Sequence, residues 1–223
     1  MAPPPPAPPP LFRLIARRLP HWRPTTIFDV GANVGQSARL YASAFPQAAI
    51  HCFEPHPATH ARLTTNIARL PNVTAHNLGL ANLTGAQKMS DRENSATNHI
   101  LPDQSADGTA VRLAKGADLI AELALTRLSF LKIDTEGHDL EVLKGFGPTL
   151  TSVDFIQVEA AMNAYNRTHV AFATMTDHLD RAGFLLFHVI DQVFEFKHGG
   201  RPVLRRANPV YINAALVDLT GIS

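Results

Sequence analysis

The sequence predicts an α/β fold in which helices cover both faces of a mostly parallel sheet. From Thr26 onward, short runs rich in β-branched and aromatic residues alternate with segments of helical periodicity. Such alternation is typical of right-handed strand–helix–strand units. The chain has 223 residues, of which 45% are hydrophobic and 17% are charged. That length suffices for one large core without disulfide or metal support.

The runs that carry this alternation can be read in order along the chain. They are TTIFDV, QSARLYASAF, AAIHCFE, PATHARLTTNIARL, NVTAHNLGL, LSFLKID, GHDLEVLKGF, VDFIQVE and THVAFATMTDHLDRAG. The last two runs, FLLFHVI and PVYINAALV, are joined by a turn-rich stretch without helical pattern, which predicts an antiparallel hairpin at one edge. Residues 82–111 are polar and weakly periodic, which predicts a loop or small insertion over the carboxyl edge of the sheet.

Composition narrows the class of protein. The 20 basic and 19 acidic residues give a formal net charge of +1, which argues against a protein that coats nucleic acid, so no nucleic-acid partner is expected. The single cysteine, Cys52, excludes a disulfide framework within the chain and favours a reducing compartment, so we expect a cytoplasmic location. No run of 18 or more apolar residues occurs, so no transmembrane segment is expected.

The amino terminus divides into two predicted segments. Residues 1–10 contain seven prolines, which predicts a disordered Pro-rich tail, with an SH3-type ligand as the alternative. Residues 11–24 carry apolar positions near helical spacing with arginines between them, which predicts an amphipathic helix and linker. This helix either docks on the domain or serves as a membrane-surface anchor or targeting segment, since no acid precedes Asp29. The main domain then spans residues 25–220.

A glycine turn after the first strand is the most informative motif. Gly31, Asn33 and Gly35 form a GxNxG pattern, and the next helix begins at Gln36. Glycine tolerates positive φ and leaves room for a ligand near the backbone, while the helix start offers unpaired N–H groups. The Asn33 side chain obstructs the close approach that a pyrophosphate needs. Asp29, just before the turn, disfavours a phosphate and suits an amine-bearing ligand.

An acid at the end of the second strand completes this ligand pattern. Glu54 lies 23 residues after Gly31, a spacing that suits a carboxylate accepting both hydroxyls of a ribose. The position of Glu54 and the acidic turn, which disfavours a phosphate, together favour S-adenosylmethionine over NAD. S-adenosylmethionine has an amino acid end, a sulfonium and an adenosine but no phosphate. The alternative is a purely structural turn with a solvated Glu54.

Further acids follow the later strands. Asp134 and Glu136 come after the run LSFLKI, and Glu159 ends the run VDFIQVE. In open parallel sheets, ligands bind outside the carboxyl ends of the strands, so these side chains are candidates for the site. The alternative for Glu136 is an acid at a helix start that satisfies backbone N–H groups.

With these motifs, the chain resembles the FkbM-type family of S-adenosylmethionine-dependent methyltransferases. The resemblance rests on FDVGANVGQ (28–36), FEP (53–55), LKIDTEGHDLEVLKG (131–145) and IQVE (156–159). It implies a class I methyltransferase (Rossmann-like) fold, with a seven-stranded, mostly parallel sheet and an antiparallel last strand. The resemblance and the glycine turn together assign nine residues to the cofactor: Asp29, Gly31, Asn33, Gly35, Gln36, Glu54, Gly79, Leu80 and Asp134.

The predicted activity is O-methylation of a small-molecule hydroxyl by in-line displacement. The resemblance implies a sugar, a glycolipid or a polyketide-like metabolite as the acceptor. The catalytic candidates are Asp134, Glu136 and Glu159, and the general base is hypothesised to be Asp134 or Glu159. No metal site is predicted, although a divalent ion bridging Asp134 and the acceptor is a minor alternative. The other functions considered are a nicotinamide-dependent oxidoreductase and a catalytically silent S-adenosylmethionine-binding module.

Overall fold

The structure is a computed structural model that describes residues 8–92, 97–101, 107–194 and 202–220. The strands are β1 (Thr26–Val30), β2 (Ala49–Phe53), β3 (Val73–His76), β4 (Gly79–Leu80), β5 (Gly85–Met89), β6 (Thr109–Ala114), β7 (Leu128–Ile133), β8 (Val153–Gln157), β9 (Ala160–Ala161), β10 (Phe184–Val193) and β11 (Arg206–Asn213). The helices are α1 (Pro10–Arg18), α2 (Gln36–Ala44), α3 (Pro57–Ile67), α4 (Gly116–Glu122), α5 (Asp139–Phe146) and α6 (Phe172–Arg181).

The main sheet has the order β10-β11-β8-β7-β1-β2-β3, and β9 pairs with β11 outside this path. Strands β8, β7, β1, β2 and β3 pair in parallel, whereas β11 runs antiparallel to both β8 and β10. The predicted seven-stranded path with an antiparallel last strand is therefore confirmed. The predicted hairpin also forms, from β10 and β11. Of these two strands β10 lies at an edge of the sheet, whereas β11 lies inside it. Strands β2 and β3 extend the sheet on one side of β1, whereas β7 and β8 extend it on the other. This change of direction creates a crevice at the carboxyl ends of β1 and β7.

A second sheet covers part of the carboxyl edge. Its order is β4-β6-β5, with β4 parallel and β5 antiparallel to β6. The segment predicted as a loop or small insertion, residues 82–111, therefore contains β5 and the start of β6. Parts of that segment, residues 93–96 and 102–106, lie outside the described residues. Its strands were missed because β5 is half-exposed and polar, without the alternation that marks a strand.

The core lies on both faces of the main sheet. Successive residues of β1 point to opposite faces, so Ile27 packs with helices α1 to α3 while Phe28 packs with α4 to α6. All five residues of β1 are buried. This central strand therefore has no solvated face, as is usual for parallel sheets between helices.

Helix α1 covers one side of this core. Leu11, Phe12 and Ile15 are buried, while the arginines of its last turn are exposed. The Phe12 ring lies 4.9 Å from that of Phe130, in β7, measured between ring centroids. The apolar face of α1 thus packs against the sheet. Within the described ranges every helix is too short or too polar to span a lipid bilayer. The predicted tail falls mostly outside the described residues, and the proposed division of the chain into segments stays a prediction.

Candidate active site

A cavity of about 360 Å³ opens at the carboxyl ends of β1 and β7. This volume is in the range of small-molecule sites, and the position is the usual ligand position in open α/β sheets. Eight predicted site residues line it: Gly31, Asn33, Gln36, Glu54, Gly79, Leu80, Asp134 and Glu136. The other three predicted residues, Asp29, Gly35 and Glu159, lie behind this lining.

The glycine turn forms one wall of the cavity. Gly31 has a φ of +79°, and a Cβ at this position would lie 1.9 Å from the backbone oxygen of Asp134. Only glycine therefore lets the turn approach the end of β7 so closely. Gly35 has a φ of +88°, and a Cβ there would meet Leu63 in α3. Gly35 thus allows α2 and α3 to pack together and does not face the cavity.

The Glu54 carboxylate is held in place by backbone donors. The N–H of Asn33 donates to Oε2 at 3.0 Å, and the N–H of His56 donates to Oε1 at 3.0 Å. Burial raises the pKa of Glu54 to about 7, although these two hydrogen bonds act in the opposite direction. Both oxygens keep lone pairs for further donors. The side chain is therefore an oriented acceptor whose charge is sensitive to pH near neutrality.

Asp29 does not reach the cavity because a lysine stands in front of it. Asp29 is fully buried, and Lys132 Nζ lies 3.2 Å from its Oδ1 and 3.2 Å from Oδ2 of Asp134. Lys132 lines the cavity. Burial opposes the charge of Lys132, but the two carboxylates outweigh burial and raise its pKa. Asp29 was expected to face an amine of the ligand, whereas the chain supplies its own ammonium group, that of Lys132.

Lys132 was not predicted as a site residue, although its position within an apolar strand is a signal in the sequence. A lysine in the middle of the apolar run LSFLKI is unusual, since lysine is rarely buried without a partner. In the sheet register Lys132 stands directly beside Asp29 of β1. Neighbouring positions of paired strands point to the same face, so the acid before the turn and this lysine predict a buried ion pair.

The loop after β7 carries Asp134 and Glu136 to the cavity. The Asp134 side chain is 41% exposed, which leaves it accessible to a ligand. Glu136 has a positive φ of +53°, and a Cβ at Gly137 would lie 2.1 Å from the backbone oxygen of Thr168. The loop therefore packs tightly on the segment before α6, and a strained backbone holds Glu136 in the cavity wall. Burial raises the pKa of Glu136 above its ordinary value.

Glu159 is separated from the cavity by Arg206. Oε1 of Glu159 forms an ion pair with Arg206 Nη1, and Oε2 lies 2.6 Å from His169 Nε2. Arg206 lines the cavity. Arg206 ends the basic stretch KHGGRPVLRR (197–206), which by sequence either attracts an anionic acceptor or forms a solvated loop. His169 was not predicted, because its segment has no recognisable motif. His138 lines the cavity as well, and burial lowers its pKa, which favours a neutral imidazole.

Solved structures share this architecture. The fibrillarin/Nop5p complex gives a TM-score of 0.53 at 9% identity, covering 90% of this chain and 80% of that chain. A fibrillarin pre-rRNA processing protein from Methanococcus jannaschii gives a TM-score of 0.50 at 13% identity, covering 86% of this chain and 67% of that chain. These likenesses concern the fold alone. The architecture is that of a class I methyltransferase, as the sequence resemblance implied.

Sequence comparisons identify the family. The hexuronic acid methyltransferase AglP of Haloferax volcanii is 32% identical over 134 residues, which cover 60% of this chain and 54% of AglP. The 2-O-methyltransferase NoeI of Sinorhizobium fredii is 26% identical over 150 residues, which cover 60% of this chain and 62% of NoeI. The matches thus span less than two thirds of these curated relatives. Residues 29–186 match the methyltransferase FkbM domain, and the chain therefore belongs to the FkbM methyltransferase family.

Proposed function

We propose that this chain uses S-adenosylmethionine to methylate a hydroxyl of a small molecule, such as a sugar, a glycolipid or a polyketide-like metabolite. The observation that carries the proposal is the cavity in which the glycine turn, the oriented Glu54 carboxylate and Asp134 converge. The names of AglP and NoeI, a hexuronic acid methyltransferase and a 2-O-methyltransferase, support a sugar-like acceptor.

The residues of the cavity fit the chemical groups of this cofactor. Glu54 offers two oriented oxygens for the two ribose hydroxyls. Gly79 and Leu80, in β4, form the adjoining wall that suits the adenine. Lys132 is a buried ammonium group at the end of β7, and it suits the carboxylate of the amino acid end. Asp29 supports this contact indirectly, because it holds Lys132 in position.

The bound cofactor supplies a methyl group already activated on a sulfonium, which passes in line to the acceptor oxygen and leaves a neutral thioether. The chain has to align the acceptor, exclude water and accept the hydroxyl proton. We assign the proton to Asp134, which reaches the cavity, whereas Glu159 lies behind Arg206. Glu159 acts in this proposal as a positioning residue for Arg206. Glu136, the third catalytic candidate, lines the cavity as well, and we propose that it contacts the acceptor.

The cofactor proposal is tested by ligand-dependent thermal unfolding. A ligand that binds the folded state raises the melting temperature, so S-adenosylhomocysteine is expected to stabilise the chain and NAD to have no effect. Stabilisation by NAD alone would instead support a nicotinamide-dependent oxidoreductase. No shift with S-adenosylhomocysteine would contradict the cofactor assignment.

The catalytic proposal is tested by turnover with labelled S-adenosylmethionine on a panel of uronic acids, other sugars, hydroxylated metabolites and RNA. Asp134→Asn is expected to lower kcat by about 10²–10⁴-fold, because a general base typically contributes that factor. Asp177→Asn is the matched control, since Asp177 is an exposed carboxylate on α6. Normal turnover of Asp134→Asn would remove the base assignment. Cofactor binding without turnover on any acceptor would favour the silent binding module.

A further inference from the structure

We propose that Glu136, Glu159 and His169 form a binding site for a divalent transition-metal cation beside the cavity. One ligand atom of each residue, a carboxylate oxygen or an imidazole nitrogen, lies within 4.8 Å of the other two. Glu136 comes from the loop after β7, Glu159 from the loop after β8, and His169 from the segment before α6. These three residues are far apart in the sequence and meet only in the folded chain. The role of the cation in catalysis rests on the proposed function.

Two of these atoms are buried without a hydrogen-bond partner among the described residues. They are Glu159 Oε2 and His169 Nε2, whose side chains are only 3% and 4% exposed. The atoms lie 2.6 Å apart, yet their orientation does not meet hydrogen-bond geometry. Buried polar atoms normally have partners, so this pair points to a missing group that lies beside both atoms. A cation bound by both atoms removes the deficit.

The imidazole is oriented as a metal ligand. Asn166 Oδ1 lies 3.1 Å from His169 Nδ1, and we assign Nδ1–H as the donor to this oxygen. The amide nitrogen of Asn166, which is 3.0 Å from the same Nδ1, donates to the backbone oxygen of Arg205 at 3.2 Å. In this tautomer Nε2 carries a lone pair toward the two carboxylates. Metal-bound histidines typically have their other nitrogen held in this way.

Charge and donor type indicate the class of cation. A cation binds the neutral imidazole and the ionised carboxylates of such a cluster. Two carboxylates with one imidazole suit first-row divalent ions such as Mn²⁺ or Zn²⁺, whereas Mg²⁺ prefers oxygen ligands. Arg206 contacts Oε1 of Glu159, so Oε2 is left to face the cluster. The acids Asp134 and Asp139 offset the charge of the nearby Arg205.

The position of the cluster gives the cation a task in methyl transfer. Glu136 lines the cavity and its Oε2 lies 3.7 Å from His169 Nε2, so one side of the cation faces the acceptor region. Three protein ligands with an open position are the usual pattern of catalytic zinc sites. An acceptor hydroxyl oxygen bound at that position loses its proton more readily. The proton passes to Asp134, and the resulting alkoxide is the methyl acceptor.

The test is titration of the chelator-treated full chain with Mn²⁺, with free Mn²⁺ measured by electron paramagnetic resonance. Binding of one equivalent is expected, and His169→Gln and Glu136→Gln are each expected to weaken it by at least about 10-fold. His178→Gln is the matched control, since His178 lies on α6, outside the cluster and the cavity lining. If His169→Gln does not fold, Glu136→Gln decides, because the Glu136 side chain is 25% exposed in the cavity wall.

The outcomes separate this proposal from the proposed function. In the wild type, chelation is expected to lower methyl transfer and Mn²⁺ to restore it, without changing stabilisation by S-adenosylhomocysteine. Stabilisation by S-adenosylhomocysteine with no Mn²⁺ binding would overturn the cation site and leave the cofactor assignment intact. Equal Mn²⁺ affinity in the wild type and both variants would overturn it too. Mn²⁺ binding that depends on His169 and Glu136 without S-adenosylhomocysteine binding would support the site and contradict the cofactor assignment.

Discussion

Replacing Lys132 by methionine tests the buried charge cluster behind the cavity. The change removes the ammonium group that lies 3.2 Å from carboxylate oxygens of both Asp29 and Asp134. Methionine keeps much of the volume of the lysine stem but no charge. Asp29, which is fully buried, is then left as an uncompensated carboxylate. Asp134 is 41% exposed and is stabilised by water, so its share of the effect is small.

The size of the effect follows from the two states open to Asp29. Removing one partner of a buried ion pair typically costs about 3–5 kcal/mol. The carboxyl group can escape by taking up a proton, and at pH 7 this costs about 4 kcal/mol, because pH 7 lies about three units above its ordinary pKa. We therefore expect Lys132→Met to lower the free energy of unfolding by about 3–4 kcal/mol at pH 7.

The same reasoning predicts how the loss depends on pH. In Lys132→Met the native pKa of Asp29 lies above its unfolded value, so the native state holds a proton that the unfolded state releases as pH rises above about 4. The deficit relative to wild type grows by about 1.4 kcal/mol per pH unit in this range. It is therefore expected to shrink to about 1 kcal/mol or less at pH 5.

The assay is equilibrium unfolding in urea at pH 5, 6 and 7, with the free energy extrapolated to water. Asp29→Asn combined with Lys132→Met removes the stranded charge, so the double variant is expected to recover about 2 kcal/mol at pH 7. A loss below 1 kcal/mol at pH 7 for the single variant, or a loss that is the same at pH 5 and pH 7, would refute the reasoning.

Two further predictions concern the helix at the amino terminus and the pH dependence of the cavity. Phe12→Ala is expected to lower the free energy of unfolding by about 3–5 kcal/mol, because the ring is 3% exposed and packs on Phe130; a loss under 1 kcal/mol in urea unfolding would show that α1 does not contribute to the core. The affinity for S-adenosylhomocysteine is expected to fall by up to about 10-fold per pH unit below pH 7, because Glu54, with a pKa of about 7, loses its charge there. Calorimetric titration at pH 6 and pH 8 measures this change in affinity. The same dependence of affinity on pH in Glu54→Gln would exclude Glu54 as the source of the effect.

Local patterns were sufficient for the body of the fold. The strands β1, β2, β7 and β8 are short apolar runs that end in glycine, proline or acidic turns, and each was predicted near its observed position. The polar strand β5 was not, because its stability comes from pairing with β6 and not from an apolar face of its own. Strand pairing between polar segments leaves little trace in one-dimensional patterns.

In the cavity, too, some residues could be predicted from local patterns and others could not. Gly31, Asn33 and Glu54 could be placed from their spacing, because a strand, a tight turn and a helix bring consecutive residues to one site. The role of Lys132 required the register between β1 and β7, which pairs it with Asp29. Without that register, Asp29 looked like a ligand contact.

The sequence by itself determined the strand–helix alternation, the glycine turn and the acids at the strand ends, because these depend on backbone conformation and burial within a few residues. Only the tertiary structure decided that Lys132 covers Asp29, that Arg206 shields Glu159, and that His169 joins Glu136 and Glu159 in one cluster. The physical reason is that charges find their partners by distance in space. Segments far apart in the chain meet only after the core has packed and the loops above it have taken their positions.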